Sequence, residues 1–146
     1  LPHLEFAAPV FGSISAKLSD SIERVQHHFT YRLYRRFSLR QKSYPVRCRT
    51  LGLIPVSTRR RNLELAFVHS VALGLHYCPQ LNLSPSRGTN SLRFPHKLVP
   101  DLHPRGARKL FIRNRLAERY NRLPGRVKRL RKAAFAGHLL SIPPSP

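Results

Sequence analysis

Six carboxylates face twenty-seven lysines and arginines in this chain, a net charge of +21 over 146 residues. That imbalance constrains the fold before any pattern is read. A compact body so charged repels itself, so the cations must lie outward, and a polyanion is the partner that relieves the repulsion. Nucleic acid is the first candidate and an anionic membrane surface the second. The length fits one domain. Thirteen prolines and an apolar fraction of 41% allow a helical core, but only beside a long irregular portion.

The charge is unevenly placed. Residues 24–61 carry eleven basic residues and no acid, and residues 105–146 carry twelve against Glu118 alone. The stretch between them is nearly neutral. Two basic blocks of this kind imply two contact surfaces. The chain begins with Leu and contains no Met, which reads as a processed chain or a piece of a larger one. The first residues lack a basic n-region and include Glu5, so a secretory signal is not expected. The longest uncharged run, residues 65–86, is too polar and broken for a membrane span. Cys48 and Cys78 are too few for a disulfide framework and read as reduced thiols. An intracellular place, nuclear or cytoplasmic and not secreted, is expected.

Periodicity gives an all-α fold of about five helices with a long Pro-rich irregular connection. The expected division is an irregular leader over 1–12, a basic helical region over 13–74, the connection over 75–107, a second basic helical region over 108–140, and a tail over 141–146. From Ile14 the apolar residues Leu18, Ile22, Val25, Phe29, Leu33 and Phe37 follow at spacings of 4, 4, 3, 4, 4 and 4, a helical stripe expected to face the core. Ser13 is placed to cap its start, with Asp20 to Glu23 as an internal alternative. Pro45 and Gly52 suit the two ends of a short helix. Thr58 is placed to cap a third helix, closed by Gly74. Its buried face is read as Leu63, Phe67 and Val71 with Ala66, Ser70 and Leu73. Arg59, Arg60 and Arg61 sit at its start, where the helix dipole disfavours cations, and that placement leans towards binding. Short extended pieces are expected around Leu81–Leu83 and Ser91–Phe94. In residues 108–124, Ile112, Leu116, Tyr120 and Leu123 form one apolar stripe and arginines fill the rest of the circumference. Pro124-Gly125 stops that helix. A last helix over Val127–Leu140 buries Val127, Leu130, Ala134 and His138, with Phe135 and Leu139 beside them.

No two acids are adjacent, so two-metal phosphoryl transfer has no carboxylate cluster to hold its ions, and no catalytic residue is assigned. Glu64 and Glu118 are read as partners in ion pairs along their own helices. His69, His76 and Cys78 lack a fourth ligand and the paired spacing of a zinc site, so no metal ligand is assigned and His69 reads as a core or boundary histidine. No nucleophile motif or Gly-rich phosphate loop is present. The positive signal is arginine interleaved with aromatics. The expected phosphate contacts are Arg24, Arg32, Arg35, Arg36, Arg59, Arg60, Arg61, Arg113, Arg115, Arg119 and Arg122. Tyr31 and Tyr34 lie off the first stripe and are the candidates for stacking on bases.

The order IERVQHHFTYRL (22–33), Tyr44-x-x-Arg47-x-x-x-Leu51-Gly52-Leu53, Arg59-Arg60-Arg61-Asn62-Leu63 and LFIRNRLAERYNRLP (110–124) resembles the C-terminal part of reverse transcriptases of non-LTR retrotransposons, of the Jockey-like arthropod type. Tyr120-Asn121 stands where that family usually has Trp-Asn. The resemblance implies a helical thumb and connector that grip a template–primer duplex of DNA and/or RNA, bound to the remainder of the polymerase chain and to no membrane. The family's Asp-Asp motif is absent here. The resemblance therefore implies a fragment inactive alone, with no cofactor in this chain, since Mg²⁺ would belong to the polymerase palm. A structural RNA-binding protein of ribosomal type and a basic amphipathic membrane-surface protein are the alternatives.

Overall fold

The computed structural model describes residues 5, 8–11, 15–81, 83–85 and 96–141. The protein is all-α. Among the described residues the helices are α1 (Ala8–Phe11), α2 (Ala16–Arg36), α3 (Tyr44–Thr50), α4 (Val56–Ala72), α5 (Ile112–Arg122), α6 (Gly125–Lys128) and α7 (Lys132–Ser141). Extended structure among the described residues is a ladder of two three-residue strands, β1 (Leu83–Pro85) and β2 (His96–Leu98), antiparallel with Leu83 opposite Leu98. The five expected helices correspond to α2, α3, α4, α5 and α7. Residues 8–11, read as part of an irregular leader, are helical, and Ala8 is buried. Ser13, Ile14 and the expected extended piece at Ser91–Phe94 lie outside the described residues.

Helix α4 is the centre, with α1, α2, α5 and α7 packed around it. Its buried residues therefore lie on several sides and include Leu65, Val68, Val71 and Ala72. Leu63, read as core, is exposed, and Ala66, Phe67 and Leu73 are half-buried. A helix surrounded by neighbours has no single apolar stripe to find. Leu65, Val68 and Ala72 meet Leu116 and Tyr120 of α5 and Phe135 and Leu139 of α7 in one cluster. His69 is in the middle of it. Its ring stacks on Phe135 at 3.8 Å between centroids, Nε2 donates to the Leu130 carbonyl at 2.8 Å, and Nδ1 lies 3.3 Å from the Tyr120 hydroxyl. Since a carbonyl can only accept, Nε2 carries the proton and Nδ1 accepts from Tyr120.

The expected last helix is divided. α6 ends at Lys128 and α7 begins at Lys132, which frees the Leu130 carbonyl to take the His69 proton. The buried side of α7 is Phe135 and Leu139, whereas Ala134 is exposed and His138 half-buried. Residues 108–110, read as the start of the α5 helix, lie in a 3₁₀ turn over Gly106–Leu110 before it. The stripe of α5 itself is in the core, with Leu116 and Tyr120 buried and Ile112 and Leu123 packed at its edge.

α2 is turned by about 100° from its pattern. The buried residues are Gln26, Thr30 and Tyr34, while Leu18, Val25, Phe29 and Phe37 are exposed. A polar hub explains this. Gln26 Nε2 donates to the Ile54 carbonyl and the Tyr44 hydroxyl, each at 3.1 Å, and its Oε1 accepts from Arg59 at 3.0 Å. Tyr44 donates to Glu23, and Arg47 donates to Thr30 at 3.3 Å and to the Lys42 carbonyl. Buried polar groups are mostly paired, and the Gln26 amide, the Thr30 hydroxyl and the Glu23 carboxylate find these partners only with that side of α2 inward, while the Tyr34 hydroxyl is buried there with no hydrogen-bond partner among the described residues.

The same hub starts α4. The helix begins at Val56 after Pro55, and Thr58 lies buried within its first turn. Glu23 of α2 accepts from the Val56 and Ser57 backbone N–H groups at 3.1 and 2.8 Å, so a neighbouring helix supplies the cap expected from Thr58. Its negative charge also suits the positive end of the helix dipole. Ser15 caps α2, accepting from Leu18 N at 3.3 Å.

Candidate functional site

The fold sorts the eleven expected phosphate contacts into three groups, with Arg115 in two of them and Arg122 outside all three, paired with Glu118. The first has already found carboxylates. Arg59 pairs with Glu5 at 2.9 Å, Arg113 pairs with Asp101, and Arg115 grips both Glu64 oxygens at 3.0 and 3.1 Å. Arg113 also donates to the Gln80 carbonyl, holding α5 to the chain before it. In this structure these three act as internal ties, and their pairing leaves them less field for a second anion, although Arg115 also lines a cleft between α4 and α5. Glu64, read as a partner along its own helix, joins α4 to α5. Glu118 does pair along its helix, with Arg122, and both side chains are well exposed, so the pair is weak.

The second group lies on the outside of α2. Arg24, Arg32, Arg35 and Arg36 are all exposed there, with Arg24 donating to Ser21 at 3.3 Å. Tyr31 is exposed on the same helix, with the Arg47 guanidinium 6.0 Å from its ring centre. Tyr34 is only 2% exposed, so its reading as a stacking residue is corrected: the ring fills the packing between α2 and its neighbours and no base can reach it.

The third group forms a site. Arg60 and Arg61 from the first turns of α4 converge with Arg115 and Arg119 of α5 on one cleft of about 420 Å³. Ser19 of α2 and Ser57 of α4 complete one end, and Glu64 and Glu118 are the only acids in the lining. Arg60 is buried and close enough to Glu64 to act on its charge. Burial pushes the Glu64 carboxyl up, and Arg115 chiefly pulls it back. Arg61 shows the consequence for the cleft. Burial lowers its pKa, repulsion from Arg119 lowers it further, and Glu64 pulls it back; Arg61 nonetheless stays charged at neutral pH. Four cations against two acids leave the lining positive, and Glu118 is turned to Arg122.

The approach of α4 and α5 builds this cleft from residues more than fifty positions apart. Sequence reasoning named all four arginines but had no means to join them. It missed Ser19 and Ser57, which carry no signal of their own. Asn114 and Asn121 were also missed as positioning residues. Asn121 donates to the Leu98 carbonyl at 2.9 Å and accepts from Leu98 N at 3.1 Å, holding β2 against α5. Asn114 accepts from Asp101 N at 2.8 Å and donates to its carboxylate, so the Arg113 partner is fixed.

Cys48 and Cys78 are free thiols. Among the described residues no cluster of three His, Cys, Asp or Glu could hold a metal ion, and no helix is long and apolar enough to cross a membrane. No family model, curated protein or solved structure matches the chain.

Proposed function

We propose that the protein binds nucleic acid through phosphate contacts without reading base sequence, as the thumb-like C-terminal part of a retroelement reverse transcriptase. The observation that carries the binding is the convergence of Arg60, Arg61, Arg115 and Arg119 on one cleft whose own acids do not balance them. Arg61 and Arg119 repel one another across it, and a phosphate between them would relieve that repulsion. Arginine suits the task because its planar fork matches two phosphate oxygens at once. The exposed arginines of α2 supply a second surface for the same polyanion.

The reverse-transcriptase reading is supported by the ordered motifs. The residues that carry them touch one another: Glu23 and Gln26 of the first motif meet Tyr44 of the second, and Gln26 meets Arg59 of the third. A shared fold would explain why those residue types recur together. On this reading the protein positions a duplex, and catalysis lies in another part of the polymerase.

The test is the double substitution Arg61→Gln with Arg119→Gln. Gln is a comparable helix former, so circular dichroism should be unchanged. Affinity should fall by a similar factor on several unrelated duplexes. The log–log salt slope should flatten by about 1.8, two contacts at about 0.9 each. An unchanged slope would remove the cleft from the interface. Selective loss of one folded RNA would favour a structural RNA-binding role.

A further inference from the structure

Helix α2 turns to solvent the row that an amphipathic helix ordinarily buries. Leu18, Val25 and Phe29 are 56, 47 and 46% exposed, with Ile22 and Leu33 half-buried beside them. The row stands about 100° around the helix from Gln26, Thr30 and Tyr34, given 3.6 residues per turn. The helix cannot roll to bury it. Doing so would break the Gln26 bond to Ile54 and the Glu23 cap on α4. Leu18, Ile22, Val25 and Phe29 are spaced 4, 3 and 4, the alternation of a seam that receives one other helix. Beyond the row, on the side away from the core, stand Arg32, then Arg24, His28 and Arg35, while Arg36 continues the line of the row at its C-terminal end; all are exposed. No acid follows Glu23 in α2.

We infer that this seam docks an acidic amphipathic helix of a partner protein, whose apolar residues cover the row and whose carboxylates compete with nucleic acid for the α2 arginines. Charge selects the occupant. A second copy of the chain would set arginine against arginine. Nucleic acid would answer the arginines and leave Val25 and Phe29 in water. A bilayer asks for a broad apolar face sunk among the lipids, whereas this row is one residue wide, with the protein's own polar hub on one side and cations on the other. A helix laid along the seam fits both features, with apolar anchors at i, i+3, i+4 and i+7 and acids along one flank, which also speed and orient its encounter.

The probe is a 21-residue peptide, about the length of α2, with Leu at the anchor positions and Glu along one flank. A scrambled peptide of identical composition is the control. Fluorescence anisotropy with the full chain should show the patterned peptide binding at least tenfold more tightly than the scrambled one. Val25→Ser with Phe29→Ser should weaken the patterned peptide at least tenfold and leave helicity and duplex affinity unchanged, since Ser matches Val and Phe in helix propensity and both residues stand outside the core cluster and the phosphate-binding residues. Arg32→Gln with Arg35→Gln and Arg36→Gln should weaken it too, by a factor that shrinks as salt rises. Equal binding of the two peptides would show attraction by charge alone and overturn the inference. So would peptide binding that the serine pair does not alter. The inference also fails if the serine pair abolishes sedimentation with phosphatidylcholine–phosphatidylserine vesicles, or self-association of the chain, while the patterned peptide does not bind.

Discussion

At the scale of single residues, His69 couples the core to pH. Its pKa is lowered from 6.5, chiefly by burial, with the Leu130 hydrogen bond acting weakly the other way. The rings around it, Tyr120 and Phe135, bring no charge to steady an imidazolium. The folded state therefore binds the proton less readily than the unfolded chain. The stability contributed by neutral His69 is fully present above the unfolded pKa near 6.5 and is lost as pH falls from there through the lowered folded value. His27 is shifted in the same direction, by partial desolvation and then Arg47, but its ring is exposed and water screens most of any effect on stability. Urea unfolding at pH 7.5 and 5.5 should show the native chain weaker at the lower pH. His69→Gln should cost about 1–3 kcal/mol at pH 7.5, from lost packing and an unpaired hydroxyl, and lose less on acidification. Parallel pH curves for the two proteins would refute the role of His69. Leu116, 2% exposed, tests the same core without titration. Leu116→Ala should cost roughly 2–5 kcal/mol at either pH, read from the same urea curves.

At the scale of elements, the ends of helices are where local sequence and distant contacts divide the work. α2, α3 and α4 close alike. Ser38, Gly52 and Gly74 take positive φ of 51°, 62° and 73°. In each case the next residue's N–H reaches back to a carbonyl five residues earlier: Leu39 to Tyr34, Leu53 to Cys48 and Leu75 to Ser70, at 2.8–2.9 Å. A left-handed turn suits Gly and strains Ser, so Ser38→Gly should stabilise the protein by about 0.5–1 kcal/mol once the freer unfolded chain is counted. A lower midpoint in urea would contradict that geometry. The start of α4 is different in kind. Glu23→Ala leaves the Val56 and Ser57 N–H groups and the Tyr44 hydroxyl without their acceptor, and should cost about 1–2 kcal/mol or more. Thr58→Val should not reproduce the loss, since Thr58 is not the cap.

These ends also show how much of the molecule its sequence makes legible. Gly52 and Gly74 were readable because the requirement for positive φ is local. So was the core side of α5, where Leu116 and Tyr120 are apolar at helical spacing. α2 misleads the same reading, because periodicity finds the most apolar row and the hub selects Gln26, Thr30 and Tyr34. The reason lies in Tyr44, Arg47 and Ile54, some twenty residues away. The cleft divides likewise. That Arg60, Arg61, Arg115 and Arg119 are basic is plain in the chain. That Glu64 takes Arg115 and leaves Arg61 opposed to Arg119 depends on how α4 meets α5, which no spacing within either helix encodes.

At the scale of the whole molecule, the net charge of +21 should make salt act in opposite directions on folding and on binding. The described ion pairs are few, and most cations stand in water, so repulsion among them opposes the compact state. Raising ionic strength shortens the reach of that repulsion, from roughly 30 Å at 0.01 M to about 8 Å at 0.15 M. The free chain should therefore melt at a higher temperature in 0.15 M than in 0.01 M sodium chloride. Duplex binding should weaken over the same range, with a log–log slope of about −4 or steeper if about five phosphates are neutralised. Duplex added at low salt should raise the melting temperature, because a ligand of the native state stabilises it by mass action, and that increment should shrink as salt rises. Differential scanning fluorimetry with and without duplex reads all three trends on one preparation. A melting temperature that falls with salt in the free chain would mean that attraction within the few ion pairs outweighs repulsion among the unpaired cations. A duplex increment that persists unchanged at high salt would mean that the contacts are not phosphate contacts.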